Sequence, residues 1–233
     1  ASDWETAIKL YSPPVQPRSA YAMTGWVPGR DAFLLPGLPG AIVPEGFDPT
    51  IVFEAAPNTP EEIALPRTIS YDAHPAETAR ALFASAPPGI IMPLMAQILA
   101  APLVSVGHEH VTLVHLYGAS NSFKTSLATS VFAFYGWAAQ RTAMGIHSWS
   151  ADTPGVLRDA PYYYRDLPVL FDDYKAGTHR DESVTALIQS YGDQRGRGRL
   201  SQSGTMKKGK TPRGLIVSTG EDVWEDQRST NTR

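Results

Sequence analysis

Cysteine is absent from all 233 residues, which excludes disulfides, thiolate zinc sites and a cysteine nucleophile. This fits a reducing compartment and is equally compatible with export. Strong net charge is missing too. Twenty Lys and Arg against 23 Asp and Glu leave −3, too acidic for a chain that coats nucleic acid with its whole surface. A local basic patch is still allowed. Long apolar sequence is scarce: no run reaches 18 apolar residues. The most apolar stretch, Ile90 to Val106, is broken by Pro93 and Pro102 and is expected to be a buried helical segment. Ala1 to Glu5 carries neither the basic nor the apolar region of a signal peptide. The expectation is a soluble, intracellular protein without a membrane partner.

Proline is scarce in one part only. Sixteen of the 20 prolines precede residue 105, and Pro154, Pro161, Pro168 and Pro212 follow it. Proline disrupts helix interiors and central strands, so the first part should be short strands and loops. Tyr21–Trp26, Asp31–Leu35 and Thr50–Phe53 are the strand candidates there. A helix is expected from Pro75 to Phe83, bounded by Pro87-Pro88, and another over Met92–Ala100.

After residue 108 apolar strands alternate with helices. Strands are expected at His110–Tyr117, Leu167–Phe171 and Gly214–Ser218, and helices at Lys124–Tyr135, Thr153–Ala160 and Glu182–Tyr191. Nearly continuous apolar strands imply an α/β sheet covered by helices on both faces. The reading is a Pro/Gly-rich β or α+β region over 1–104 and an α/β core over 105–233.

Strand 110–117 runs directly into Gly118-Ala119-Ser120-Asn121-Ser122-Phe123-Lys124-Thr125-Ser126 and then into a helix. This matches the phosphate-loop pattern G-x-x-x-x-G-K-S/T at Gly118, Lys124 and Thr125, with Phe123 in place of the second glycine. Such a loop wraps phosphates with backbone N–H groups and aims a helix N-terminus at their charge. Lys124 would reach the β- and γ-phosphates of ATP, and Thr125 would ligate Mg²⁺. Gly suits the Phe123 position because the backbone must approach the phosphates. A residue with negative φ fits if its side chain turns away. The alternative is a small-residue turn before an ordinary helix, with Lys124 a solvated charge.

Two carboxylates, Asp172 and Asp173, end the apolar strand that begins at Leu167, 48 residues beyond Lys124. In a P-loop ATPase the first holds the metal and the second orients the attacking water. Asp172 takes the metal role and Asp173 the catalytic one, although Glu is commoner there. An acidic turn after a strand is the alternative. The next apolar strand ends in Ser218-Thr219-Gly220-Glu221, and either Ser218 or Thr219 suits a polar sensor of the γ-phosphate.

Between Gln194 and Arg213 lie Arg195, Arg197, Arg199, Lys207, Lys208, Lys210 and Arg213, with no acidic residue. This reads as a loop or hairpin leading back to the sensor strand. Its cations can hold DNA phosphates without reading bases, which predicts sequence-independent, single-stranded DNA as partner. A solvated basic loop is the alternative. One or two of Arg195, Arg197 and Arg199 can instead face a neighbouring subunit's nucleotide.

Together with Gly25-Trp26, Phe171-Asp172-Asp173, Gly196-Arg197-Gly198-Arg199 and Pro212 to Asp222, the loop resembles a family of bacterial helicase-like ATPases. Its members are domain proteins of plasmids, integrative elements and phages, related to AAA+ and superfamily 3 replicative helicases. The likeness spans roughly 20–233. It implies ATP and Mg²⁺ as cofactors, a bulky residue accepted at Phe123, and a basic β-hairpin before the sensor strand that projects into a pore. It also implies a homo-oligomer, hexameric or another ring, with an arginine supplied in trans. Arg228 and Arg233 lie where that arginine would fall, Arg233 matching better. The chain stops there, so truncation of the core at its C-terminus is expected. The resulting expectation is a cytoplasmic ATP-driven DNA motor in a bacterial or phage-infected cell. A DNA-packaging or transfer ATPase, and a nucleotide-binding oligomerisation module without turnover, are the alternatives.

Overall fold

The computed structural model describes residues 4, 6, 10, 11, 16–35, 38–54, 74–107, 112–135, 146–177, 181–193, 199, 200, 206, 207 and 209–223. Proline and glycine cut the first strands short. They are β1 (Ser19–Tyr21), β2 (Gly25–Trp26), β3 (Phe33–Leu34), β4 (Ala41–Val43), β5 (Gly46–Asp48) and β6 (Ile51–Phe53). β2 to β5 form an antiparallel sheet in sequence order, and β1 pairs in parallel with β6. The expected strand Tyr21–Trp26 is thus split by a bend, Asp31–Leu35 shrinks to β3, and the β4–β5 hairpin went unforeseen. Val27, Ala32, Leu34, Ala41 and Ile51 form the small core of this region.

The small β region is fastened to the rest by backbone bonds. Thr24 donates its N–H to Tyr163 O (3.1 Å) and its hydroxyl to Arg165 O (2.9 Å). Trp26 donates its N–H to the buried Asp166 carboxylate (3.0 Å) and its indole N–H to Pro102 O (2.7 Å). Gly25 between them has φ +85°, and a Cβ there would lie 2.4 Å from Arg165 O. Only glycine allows that approach.

Three helices follow: α1 (Pro75–Phe83), α2 (Pro88–Ala100) and, after a 3₁₀ turn at Ala101–Leu103, α3 (Val104–Gly107). Pro75 and Pro88 sit at helix starts, where a missing N–H costs nothing. α2 begins four residues before its expected start and runs through Pro93. Ile91, Leu94, Met95 and Ile98 are buried in the same core cluster as Val131, Leu170 and Val217. Each contributes about 1.5–3 kcal/mol of burial. Gln97 ties α2 to the sheet by donating to Thr112 O and Ile216 O. α2 is therefore part of the sheet's covering, although it precedes the boundary expected near 105. The expected buried helical segment is buried on one face only. Pro88–Gly107 is long and apolar enough to cross a membrane by length and composition, and its outer face is not buried: Ile90, Met92, Leu99, Leu103 and Val106 are exposed.

The remaining elements are β7 (Leu113–Tyr117), α4 (Lys124–Phe132), β8 (Ile146–Ser148), α5 (Pro154–Tyr163), β9 (Pro168–Tyr174), α6 (Asp181–Gly192), β10 (Arg199–Leu200), β11 (Met206–Lys207) and β12 (Leu215–Gly220). β7, β12, β9 and β8 form a parallel sheet in that order. The fold is α/β, a helix-covered parallel sheet preceded by a smaller β region. α2 and α4 pack on one face. On the other, Phe171 and Trp149 share a core with Leu157, Val184 and Leu187 of α5 and α6. β12, last in sequence, lies between β7 and β9. The C-terminal ends of three strands that carry polar motifs therefore meet at one edge, where open α/β sheets bind ligands.

Candidate phosphate and metal site

The loop from Gly118 leaves β7 at the sheet edge, with Gly118 N–H bonded to Gly220 O across the neighbouring strand (3.2 Å). Asn121 and Phe123 both have left-handed backbone, at φ 63° and 59°. Phe123 is 79% exposed. The expectation of negative φ at this position is thus corrected, while the outward turn of the ring is present. A left-handed non-glycine residue costs about 1–2 kcal/mol, which explains why glycine suits the position and how a bulky residue still fits. Phe123 O accepts the first helical bond, from Leu127 N–H (2.9 Å). Lys124 Nζ folds back onto the loop, donating to Gly118 O (2.8 Å), Ala119 O (2.7 Å) and Ser122 Oγ (3.1 Å). Ser126 lies in the first turn of α4, its carbonyl accepting from Ser130 Oγ (2.7 Å).

One carboxylate gathers three motifs. Asp172 Oδ1 accepts from Thr125 Oγ1 (2.7 Å) and also from Thr219 Oγ1. These residues come from α4, β9 and β12. The register explains the meeting. β9 and β12 pair Ser218 with Phe171 but Gly220 with Tyr174, so Asp172 and Asp173 together oppose Thr219. Such a bulge re-aims side chains at a strand end. Asp173 takes the strain, with φ 63°. The set of hydroxyl and carboxylate oxygens is hard-donor chemistry, which suits Mg²⁺ better than softer metals.

Ser218 points the other way. Successive strand residues face opposite sides, and Ser218 Oγ accepts from Trp149 Nε1 (2.8 Å) and pairs with His115 Nδ1 (2.9 Å). His115 Nε2 pairs with Asp222 O (2.9 Å). Burial holds the His115 ring below its ordinary pKa, only partly offset by that backbone acceptor. Trp149 and His115 were not anticipated, because nothing local in sequence marks residues that meet across a sheet.

At the rim, Lys175 Nζ lies 3.6 Å from Asp173 Oδ1 and 3.7 Å from Glu221 Oε1. Glu221 also accepts from Ser120 Oγ on the loop. That hydrogen bond, with the Lys175 and Lys124 charges, holds the Glu221 carboxyl below the usual range. Glu221 had no expected role, although it stands in the Ser-Thr-Gly-Glu run.

β10 and β11 pair antiparallel, Arg199 opposite Lys207 and Leu200 opposite Met206. The chain leading into β12 is pinned by Arg213 and Gly214 N–H groups on Pro161 O. Lys210, expected to touch DNA, is engaged within the fold instead. It donates to Asp159 Oδ2 (2.8 Å) and Tyr163 OH (2.7 Å), and lies over the Tyr163 ring. Burial opposes both charges, yet the pairing outweighs it: Asp159 is held below its usual pKa and Lys210 above. Arg195, Arg197, Lys208, Arg228 and Arg233 lie outside the described residues.

Residues 84–211 match the family described as a domain of unknown function, DUF927. This chain belongs to that family. No curated protein matches it. Among solved structures it is similar to one described as SCCmec type IV Cch, an active helicase, with a TM-score of 0.56 and 16% identity. The likeness covers 94% of this chain and 40% of that one, so this DUF927 chain spans well under half the helicase's length. At that identity the likeness speaks for the fold.

Proposed function

We propose that this DUF927 chain is an ATP-hydrolysing DNA motor, helicase-like, acting in the replication or transfer of a mobile element or phage within the bacterial cytoplasm. The observation that carries the reading is Asp172, whose one carboxylate oxygen accepts from both Thr125 and Thr219. Chance would not bring a phosphate-loop hydroxyl, a strand-end acid and a neighbouring strand's hydroxyl to one point. The similar fold of a helicase described as active supports the same class.

In this reading the loop 118–126 cradles the phosphates, and Lys124 exchanges its carbonyl partners for phosphate oxygens. Thr125 and Asp172 hold Mg²⁺, which when bound neutralises charge on the phosphates. Thr219, rather than Ser218, senses the γ-phosphate, because Ser218 is engaged with Trp149 on the other face. Asp173 orients water. Transfer of a phosphoryl group to water needs chiefly positioning and charge stabilisation, so these parts suffice. The β10–β11 segment with Arg195, Arg197, Arg199, Lys207 and Lys208 contacts single-stranded DNA. A homo-oligomeric ring supplies Arg228 or Arg233 in trans.

A module that binds nucleotide without turnover is the second reading, favoured by the half-exposed Asp173 paired with Lys175. ATP turnover measured with and without single-stranded DNA separates the two. Turnover stimulated by DNA and abolished by Lys124→Ala, with the fold intact, is expected. Undiminished hydrolysis in that variant sinks the assignment.

A further inference from the structure

The turn after β12 carries a carboxylate that the proposed site leaves unused. Glu221 accepts from Ser120 Oγ at the tip of the phosphate loop. Its turn is fixed from three sides. Gly118 N–H bonds Gly220 O (3.2 Å), Glu221 N–H bonds Tyr174 O (3.0 Å), and Ala176 N–H bonds Asp222 Oδ2 (3.0 Å). At Gly220 a Cβ would lie 2.7 Å from Tyr174 O, so the chain there is held against β9. These contacts hold the Glu221 backbone in place, so the carboxylate leaves the loop most simply by a side-chain swing, with Lys175 Nζ already 3.7 Å away.

A carboxylate bonded to this loop and a bound phosphate oppose each other. Both are anions, and the Lys124 charge that favours the Glu221 carboxylate is the one the phosphates would draw on. We propose that Glu221 is a latch on the phosphate loop, a positioning residue that acts through Ser120 and competes with nucleotide phosphates for it. The proposal rests on the reading of 118–125 as the phosphate loop. Entry of a nucleoside di- or triphosphate breaks the Ser120–Glu221 bond and moves the carboxylate onto Lys175. Glu221 taking Ser120 back weakens the loop's hold on the product's phosphates, which speeds release. The latch thus sets nucleotide affinity and residence.

The test is ADP binding and release by the whole chain, with Glu221→Gln, Glu221→Asp and Ser120→Ala. Removing the charge while keeping the size should tighten ADP binding roughly three- to tenfold and slow release by a similar factor. In a Ser120→Ala background, where the contested hydroxyl is gone for both anions, Glu221→Gln should have little further effect on ADP binding. Glu221→Asp should restore values near wild type. Unchanged or weaker binding by a folded Glu221→Gln overturns the latch and leaves the loop reading standing. If Glu221→Gln does not fold, Glu221→Ala decides by the same criterion. Failure of the wild type itself to bind ADP overturns both.

Discussion

Thr219 and Ser218 are neighbours on β12, both hydroxyl-bearing and both almost fully buried, at 1% and 2% exposure. On one face Thr219 meets Asp172 and, through it, Thr125. On the other, Ser218 closes a structural network with Trp149 and His115. The same chemical group thus belongs to the proposed site on one side and to the core on the other. The difference lies in what surrounds it. Beside Thr219 the partners are a strand-end carboxylate and the start of a helix behind the Gly118–Thr125 loop, groups of the kind that hold a cation and an anion. Beside Ser218 they are aromatic rings that need a hydroxyl to satisfy their own polar atoms.

That contrast can be broken at Trp149 with the largest effect. Trp149→Ala should cost about 3–5 kcal/mol of stability, because it opens a large cavity against Phe171 and leaves Ser218 without its donor. Denaturant unfolding would measure it. A loss under about 1 kcal/mol would mean the face is not the structural one.

His115 sharpens the contrast with pH. Its neutral form is favoured in the fold, so its folded pKa lies below the ordinary value of about 6.5. As pH falls below that value the unfolded chain takes up the proton first. The contribution of His115 is therefore complete above about pH 6.5 and lost progressively below it. Comparing stability against pH for wild type and His115→Asn should show a shallower acid loss in the variant. Identical slopes would remove His115 from the network.

Much of this was legible in sequence. Apolar strands ending in Gly118, in Asp172-Asp173 and in Ser218-Thr219 announced an α/β sheet with its polar groups at one edge. The parts that were not legible depend on register or on distance along the chain. Whether Ser218 or Thr219 faces α4 is a matter of strand phase, and the bulge at Asp172-Asp173 shifts that phase locally. β8 is three residues long, too short to show a period. Lys210 looks like one more cation of a basic run until Asp159, 51 residues earlier, is found beside it. Glu221 and Ser120 are 101 residues apart. Phe123 was legible as a departure from glycine, but its left-handed backbone was not, since the motif records residue type and not dihedral angle.

The most direct measurement is ATP turnover and thermal unfolding of the wild type beside Thr219→Val and Ser218→Ala. The account predicts that Thr219→Val loses turnover by roughly tenfold or more, with little change in melting temperature. Ser218→Ala should keep most of its turnover while losing about 1–3 kcal/mol of stability. The reverse pattern, with Ser218→Ala inactive and Thr219→Val fully active, would contradict the assignment of the two faces.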